Sequence, residues 1–297
     1  MGDVPALSGS TRRNLLSLQR TSSLIGRTQE RLATGLKVNS AIDDALAFFK
    51  ARNLNARAGD LSTIKNQIAN GISTIRAAVQ GLETIEATLK QMKALAASAV
   101  ASPESLTRAK LASQFNELRS QVDNIAEDAK FNGVALLKNT TAAFTPGSDQ
   151  LTVKFNERTA ASAVNQMVVS GVSPTDYQSI LARSAVATGT PGGTSVWGQT
   201  GTAALVAINS AIRALDSAMV TVRQVSQSLG TNSSLLEIRR QFTENLISTL
   251  QGGASELINA DLNEESANLL SLQTRQQLGT ISLSIAQQSE QSVLRLF

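Results

Sequence analysis

Between Leu61 and Ala99, apolar residues recur with the seven-residue period of a coiled coil. One row holds Leu61, Ile68, Ile75, Leu82, Leu89 and Ala96, and a second row, three residues later, holds Ile64, Gly71, Ala78, Ile85, Met92 and Ala99. A seam of this kind packs helices by knobs-into-holes contacts. At a rise of about 1.5 Å per residue it predicts a helix roughly 58 Å long, a rod rather than a short globular helix.

Two further seams have the same period. The second runs from Leu111 to Ala129, separated from the first by Pro103 and ended by the turn signal Asn132-Gly133. Its rows are Leu111, Leu118 and Ile125, and Phe115, Val122 and Ala129; the third seam has the rows Ile208, Leu215, Val222 and Leu229, and Leu205, Ile212 and Met219. We expect an interruption of the third helix at 230–234, because glycine and short polar residues weaken helices. Gly252-Gly253 either breaks the helix again or lets another backbone approach closely.

The stretch 139–202 differs in composition, being rich in Thr, Ser, Gly and Pro. Within it, 150–155 alternates apolar and polar residues as a strand does, and 166–169 is its predicted partner in a hairpin. The glycine-rich 189–201 lacks the Lys-Ser/Thr ending of a phosphate-binding loop, so we interpret it as a linker.

Both ends of the chain have a weaker helical pattern with many polar residues. Residues 1–50 and 257–297 place scattered leucines and isoleucines among Ser, Thr, Asn and Gln. Such helices are marginal alone and need a partner. The first is basic and the second carries Asp261, Glu264 and Glu265, which favours pairing of the two ends. The fold class is therefore mainly α: long heptad-patterned rods formed by both ends of the chain, a small β-hairpin and an irregular central insert.

Composition excludes several kinds of function. The 297 residues include no Cys and no His, which removes Ser–His and Cys–His catalysis and makes a zinc site improbable. We therefore predict no enzyme, no metal and no cofactor. The net charge is +4, but the basic residues alternate with acidic ones and have no aromatic residues among them. This pattern disfavours nucleic acid binding. No apolar run is long enough for a transmembrane helix or a cleaved secretory signal, so we expect no membrane insertion.

Three patches resemble bacterial flagellins. RLATGLKVNSAIDDALAFF at 31–49 is similar to the N-terminal signature of that family, KFNGVALL at 130–137 to its Phe-Asn-Gly turn, and QQLGTISLSIAQQSEQSVLRLF at 276–297 to its C-terminal helix. They lie in the family's order and at its distances from the two termini. The resemblance covers about 10–138 and 203–297.

The resemblance implies a structural subunit that polymerises into the flagellar filament for swimming. It implies an inner tube from assembly helices 1–45 and 257–297, a rod domain from 46–138 and 203–256, and an outward-facing hairpin and variable insert from 139–202. It also implies export by the flagellar type III apparatus and an extracellular location in the filament. The expected partners are other copies of the chain in a helical homopolymer, an export chaperone, and cap and junction proteins.

The resemblance also suggests individual contact residues. At the bend between terminal helix and rod, and on the C-terminal helix, the candidate intersubunit contacts are Arg31, Lys37, Asn39, Asp43, Asp44, Leu278, Ile285 and Leu294. For the Asp and Asn residues, helix capping is the competing interpretation. The first rod of many flagellins carries a patch recognised by a vertebrate innate immune receptor. This chain has Gln91 and Ala94, around Lys93, where that patch holds an Arg and a Glu, which predicts weak receptor activation.

Three alternatives remain open. A hook–filament junction protein shares the terminal helices and the export route, although the tail fits flagellin better. A coiled-coil signalling protein would show similar heptads but also a sensor domain or membrane spans. An enzyme with an Asp/Glu site would need acidic residues that converge, and none do in the sequence.

Overall fold

The computed structural model describes residues 9–138, 145–157, 165–180, 196–199 and 201–294. Within these ranges the helices are α1 (Gly9–Thr34), α2 (Ala45–Ala101), α3 (Ser105–Asp128), α4 (Pro174–Ile180), α5 (Thr202–Ile258) and α6 (Leu262–Leu294). Two strands, β1 (Gln150–Lys154) and β2 (Gln166–Ser170), pair antiparallel with Leu151 opposite Val169. The mainly helical fold with a small hairpin is confirmed, as is the pairing of the two predicted strands.

The chain divides into two compact units. The central unit is Gly59–Ile247, and the terminal unit combines Met1–Ala58 with Ser248–Phe297. The predicted domain boundaries, which are finer than this division, stay predictions.

The first heptad seam is the core of the central unit. All twelve of its predicted positions are buried: Leu61, Ile64, Ile68, Gly71, Ile75, Ala78, Leu82, Ile85, Leu89, Met92, Ala96 and Ala99. Ion pairs at the edge of the seam show that α2 and α5 run antiparallel: Lys65 with Glu244 (3.8 Å), Glu86 with Arg223 (2.9 Å), and Lys93 with Asp216. Arg223, and with it Lys90, lowers the pKa of the Glu86 carboxyl.

The third seam corrects two predictions. Helix α5 is continuous from Thr202 to Ile258, so neither 230–234 nor Gly252-Gly253 interrupts it. Leu229 and Leu236 are 4% and 0% exposed on either side of the first expected break. Burying two leucines outweighs the cost of about 1 kcal/mol for a helical glycine, which explains the continuity.

The second predicted row of α5 is only partly right: Met219 is 9% exposed, but the other two predicted positions are not in the core. Ala204, Ala211 and Ala218 are buried, whereas Leu205 is 38% exposed and Ile212 is half-buried. The small alanines fill the seam because another helix lies close there. In α3 the fully buried residues are likewise Phe115 and Val122 with Ala112 and Ala126, and the predicted row beginning at Leu111 is half-buried.

Helix α5 is also the one helix in the described part of the chain that is long and apolar enough, by length and composition, to cross a membrane. The sequence predicted none. Apolar residues of α5 pack in the core of the central unit, where Ile208, Leu215 and Val222 are at most 1% exposed.

The hairpin and the turn at 131–134 fit against α2 where it lacks side chains. A Cβ at Gly71 would lie 2.8 Å from Val153 Cγ2, and one at Gly81 would lie 2.6 Å from the Cβ of Ala129. In the turn, Asn132 and Gly133 have φ of 49° and 83°. Asn-Gly is the favoured pair where both central residues of a turn need positive φ. The predicted turn is confirmed.

Candidate assembly surfaces

The terminal unit pairs α1 with α6. The pair is antiparallel, since Leu18 lies against Gly279 and Arg31 bonds Glu265 at 2.9 Å. The expected pairing of the basic N-terminal and acidic C-terminal segments is confirmed. The more buried positions follow heptad spacing: Thr11, Asn14, Leu18, Thr21, Ile25, Thr28 and Leu32 on α1, and Glu265, Leu269, Leu272, Gln276, Gly279, Leu283 and Ala286 on α6. Nearly half of this seam is polar.

Several other large apolar side chains of the pair point away from the seam. On α1, Leu16 is 51% exposed, and on α6, Leu270, Leu278, Ile281 and Ile285 are 55% to 66% exposed. These four α6 positions fall within about 80° of arc on a helix of 3.6 residues per turn, opposite the seam. We call these four residues the outer stripe. The predicted contacts Leu278 and Ile285 belong to it; Leu294 is in α6, but its side chain lies outside the described residues.

The segment 35–44 joins α1 to α2 and bonds to the end of α5. Leu36 forms an isolated β-bridge with Asn259, and Lys37 N donates to the Ile258 carbonyl at 2.7 Å. Lys37 Nζ donates to the Glu256 carbonyl at 2.9 Å. The predicted contacts Arg31 and Lys37 therefore both have partners within the chain.

Asp43 and Asp44 shape this segment locally. Asp43 Oδ2 accepts hydrogen bonds from the backbone N–H of Ser40 (2.9 Å) and of Asn39 (3.2 Å). The Ser40 N–H and hydroxyl, as donors to the charged carboxylate, lower the pKa of Asp43. Asp44 Oδ1 accepts the Ala47 N–H at 3.0 Å and so caps α2. The capping interpretation thus holds for Asp44, whereas Asp43 closes the turn before it; contact of these two aspartates and of Asn39 with neighbouring subunits stays a prediction.

The proposed receptor patch lies on α2, away from the seam. Gln91 and Ala94 are exposed, and Lys93 is half-buried in its ion pair with Asp216. Because the two altered positions face solvent, a binding protein would meet them directly.

The buried guanidinium of Arg108 was not predicted from the sequence. Arg108 at the start of α3 is 7% exposed and donates only to carbonyls. Nε bonds Trp197 O (3.0 Å), Nη2 bonds Gln199 O (2.9 Å), and Nη1 bonds the Ser102 and Pro103 carbonyls (2.9 Å each). Trp197 is 1% exposed, with its ring 5.0 Å from that of Phe115.

This anchor corrects the interpretation of 189–201 as a plain linker. Its part at 196–198 is a 3₁₀ turn built into the core, while 189–195 lies outside the described residues. An isolated Arg on a helix and a lone Trp gave no pattern by which the sequence could have paired them. In the described ranges no group of three or more acidic side chains is placed to hold a metal ion.

These features define a class before any relative is considered: a helical structural protein with a buried heptad core in one unit and an exposed apolar stripe on a helix of the other. Models of the bacterial flagellin N-terminal and C-terminal helical regions match residues 8–142 and 212–297. Flagellin FljM of Caulobacter vibrioides is 34% identical over 286 residues, 95% of this chain and 94% of the relative. Flagellin C of Rhizobium meliloti is 26% identical over 313 residues, 95% of each chain.

The chain therefore belongs to the bacterial flagellin family. It is a structural filament subunit that self-polymerises, not an enzyme. Among solved structures, a putative flagellar hook-associated protein from Vibrio parahaemolyticus matches with a TM-score of 0.56 and 15% identity, over 73% of this chain and all of that one. At that identity the match shows a shared fold alone.

Proposed function

We propose that this subunit polymerises through its terminal unit, with the outer stripe of α6 buried against neighbouring copies in the filament. One observation carries the proposal: four large apolar side chains lie exposed on one face of a helix whose inner seam is partly polar. Large apolar side chains exposed on one face of a helix are typical of interaction surfaces. The predicted contacts Leu278 and Ile285 belong to the outer stripe, while Arg31, Lys37, Asn39, Asp43 and Asp44 would contribute at the bend.

The same proposal extends to the biology of the filament. As in the family that the sequence resembles, the subunit would leave the cell through the flagellar type III apparatus with an export chaperone. It would meet cap and junction proteins at the ends of an extracellular filament that drives swimming. Family membership supports these points.

Seeded elongation tests the surface. Purified chain is added to sonicated filament fragments of the same protein, and growth is followed by light scattering and electron microscopy. Leu278→Asp and Ile285→Asp should each stop growth, because a charge would have to be buried. Gln273→Asp is the matched control, being equally exposed on α6 but off the stripe. Growth of the two stripe variants at the control's rate would refute the proposal.

The junction-protein alternative makes a different prediction in the same assay. A junction protein adds to a filament end and stops, whereas a filament subunit continues to add. The hook-associated neighbour shares the fold, so the fold does not separate the two. Filaments that lengthen in proportion to added subunit would exclude the junction role, and a fixed short increment would establish it.

We also propose that the chain activates the vertebrate innate receptor weakly, since Gln91 and Ala94 stand exposed where many flagellins hold charged residues. Reporter cells treated with monomer should respond less than to an enterobacterial flagellin. The double variant Gln91→Arg/Ala94→Glu should recover part of that response. A wild-type response equal to the enterobacterial one would contradict the proposal.

A further inference from the structure

α1 and α6 approach each other closely at Gly279. A Cβ at this position would lie 2.7 Å from Leu18 Cδ2 and 3.2 Å from Leu18 Cγ. The Leu18 side chain therefore occupies the space that any other residue at 279 would need. Glycine weakens the interior of a helix relative to alanine, so its presence in the middle of α6 calls for such a reason.

The other end of the pair is held by different contacts. Arg31 with Glu265, the bridge between Leu36 and Asn259, and the bond from Ala260 N–H to the Gly35 carbonyl at 2.9 Å join α1 and α6 where the chain enters and leaves them. Thirteen residues separate Leu18 from Arg31 and fourteen separate Glu265 from Gly279. At 1.5 Å per residue the two points of attachment are about 20 Å apart.

Between these two points the seam mixes polar and apolar side chains, with Ile25 on α1 and Leu269 and Leu272 on α6 as the apolar ones. Thr21 and Thr28 of α1 and Gln276 of α6 are among the facing residues. Short polar side chains can pack in several rotations of a helix about its axis, whereas a leucine seated over a glycine can fit in only one. This contact therefore constrains the rotation and spacing of the pair beyond the bend, together with the apolar residues of the seam.

We propose that Leu18 and Gly279 form an alignment lock, the second fixed point that sets the rotation and spacing of the terminal helices. The lock directs the outer stripe of α6 away from α1 and toward neighbouring subunits. This inference rests on the proposed role of the terminal unit in assembly. Gly279 is a specificity-determining residue whose effect is carried through Leu18.

Exchanging the two residues provides the test. Gly279→Leu places two leucines in the space of one, while the reversed double variant Leu18→Gly/Gly279→Leu keeps the composition and turns the contact around. In seeded elongation, Gly279→Leu should raise the critical concentration at least tenfold. The reversed pair should bring it back to within threefold of the wild type.

A cross-link reads the alignment itself. Because the chain has no cysteine, Thr11→Cys/Ala286→Cys introduces a unique pair one heptad beyond the lock on each helix. Copper phenanthroline oxidation of filaments should join this pair within one subunit in the wild-type background. Where Gly279→Leu still forms filaments, the yield should fall at least fivefold, and it should recover in the reversed pair. Gly26→Ala in α1, where a Cβ meets nothing within 4 Å, is the control and should leave the yield unchanged.

The outcomes separate the two proposals. Failure of wild-type chain to elongate seeds would refute assembly through the terminal unit. Normal wild-type growth with Gly279→Leu growing and cross-linking like wild type, or with the reversed pair no better than Gly279→Leu, would overturn the lock alone.

Discussion

The two units of this chain use apolar residues in opposite ways. In the central unit, Ile68, Ile75 and Leu89 are fully buried in a seam of Ile, Leu and Met. In the terminal unit the seam holds Thr11, Asn14 and Thr28, while the outer stripe faces solvent. The largest apolar residues of the first heptad seam are buried within one subunit, whereas the four residues of the outer stripe are exposed in it.

This difference separates stability from assembly. Burial of apolar area is the main favourable term in folding, so the central unit should fold without the terminal segments. The terminal unit gains most from burial when other copies are present. Changes in the two units should therefore affect different measurements.

Removing the terminal segments should have the largest effect. A chain of residues 46–256 should melt within a few degrees of the full protein, because the central seam is intact, yet fail completely to elongate seeds. Limited proteolysis should trim both ends of the monomer to a core of roughly 50–250 and leave the filament uncut. Equal protection of the ends in monomer and filament would mean that the terminal pair is already stable within one subunit.

Truncating one leucine in each unit sharpens the comparison. Leu82 is 1% exposed, so Leu82→Ala should lower the free energy of unfolding by about 2–5 kcal/mol in urea titrations. Leu278 is 62% exposed, so Leu278→Ala should change it by less than about 0.5 kcal/mol while raising the critical concentration for growth. A reversal of these two effects would show that the units had been assigned the wrong roles.

The close approach of the hairpin gives a smaller effect. Gly71→Ala should cost about 1–3 kcal/mol of unfolding free energy, since its Cβ would meet the branched, stiff side chain of Val153. Val153→Ala in the same chain should recover part of the loss. Gly59→Ala, in the same helix with nothing within 4 Å, should instead stabilise by up to about 1 kcal/mol. Thermal melts of the three variants would check the order, and similar losses at both glycines would contradict it.

Acid should loosen the segment at the bend only slightly. Hydrogen bonds from Ser40 hold the pKa of Asp43 below the ordinary aspartate value of 3.8. This local stabilisation is therefore complete above that ordinary value and is lost as pH falls below it toward the lower pKa of the folded protein. Hydrogen exchange of the Ser40 amide should speed up over that range in the wild type. In Asp43→Asn, exchange of the Ser40 amide should be fast at every pH and, after correction for the intrinsic exchange rate, nearly independent of pH.

The sequence predicted best where large apolar residues mark a face. Every seam position from Leu61 to Ala99 is buried, and the alternation at 150–155 located a real strand. It failed where small residues form the contact: the alanine row of α5 and the Leu18–Gly279 approach carry no hydrophobic signal of their own. Glycines in α5 led to predicted helix breaks that do not occur, because the burial of Leu229 and Leu236 outweighs the low helix propensity of glycine. The candidate contacts at the bend were predicted from the family resemblance. Residue spacing in the sequence did not predict the hydrogen bonds that they make within the chain.

The Arg108 anchor has a consequence for how this protein tolerates change. Ile180 and Trp197 are each 1% exposed, so the chain is fastened on both sides of 181–195. Residues inserted between these two buried positions should not displace α3 or α5, because Trp197 stays fixed by its burial and by the hydrogen bond from Arg108 to its carbonyl. If the insert faces outward, as the family resemblance implies, a foreign peptide for display on the filament would be inserted between these two residues, with Trp197 retained.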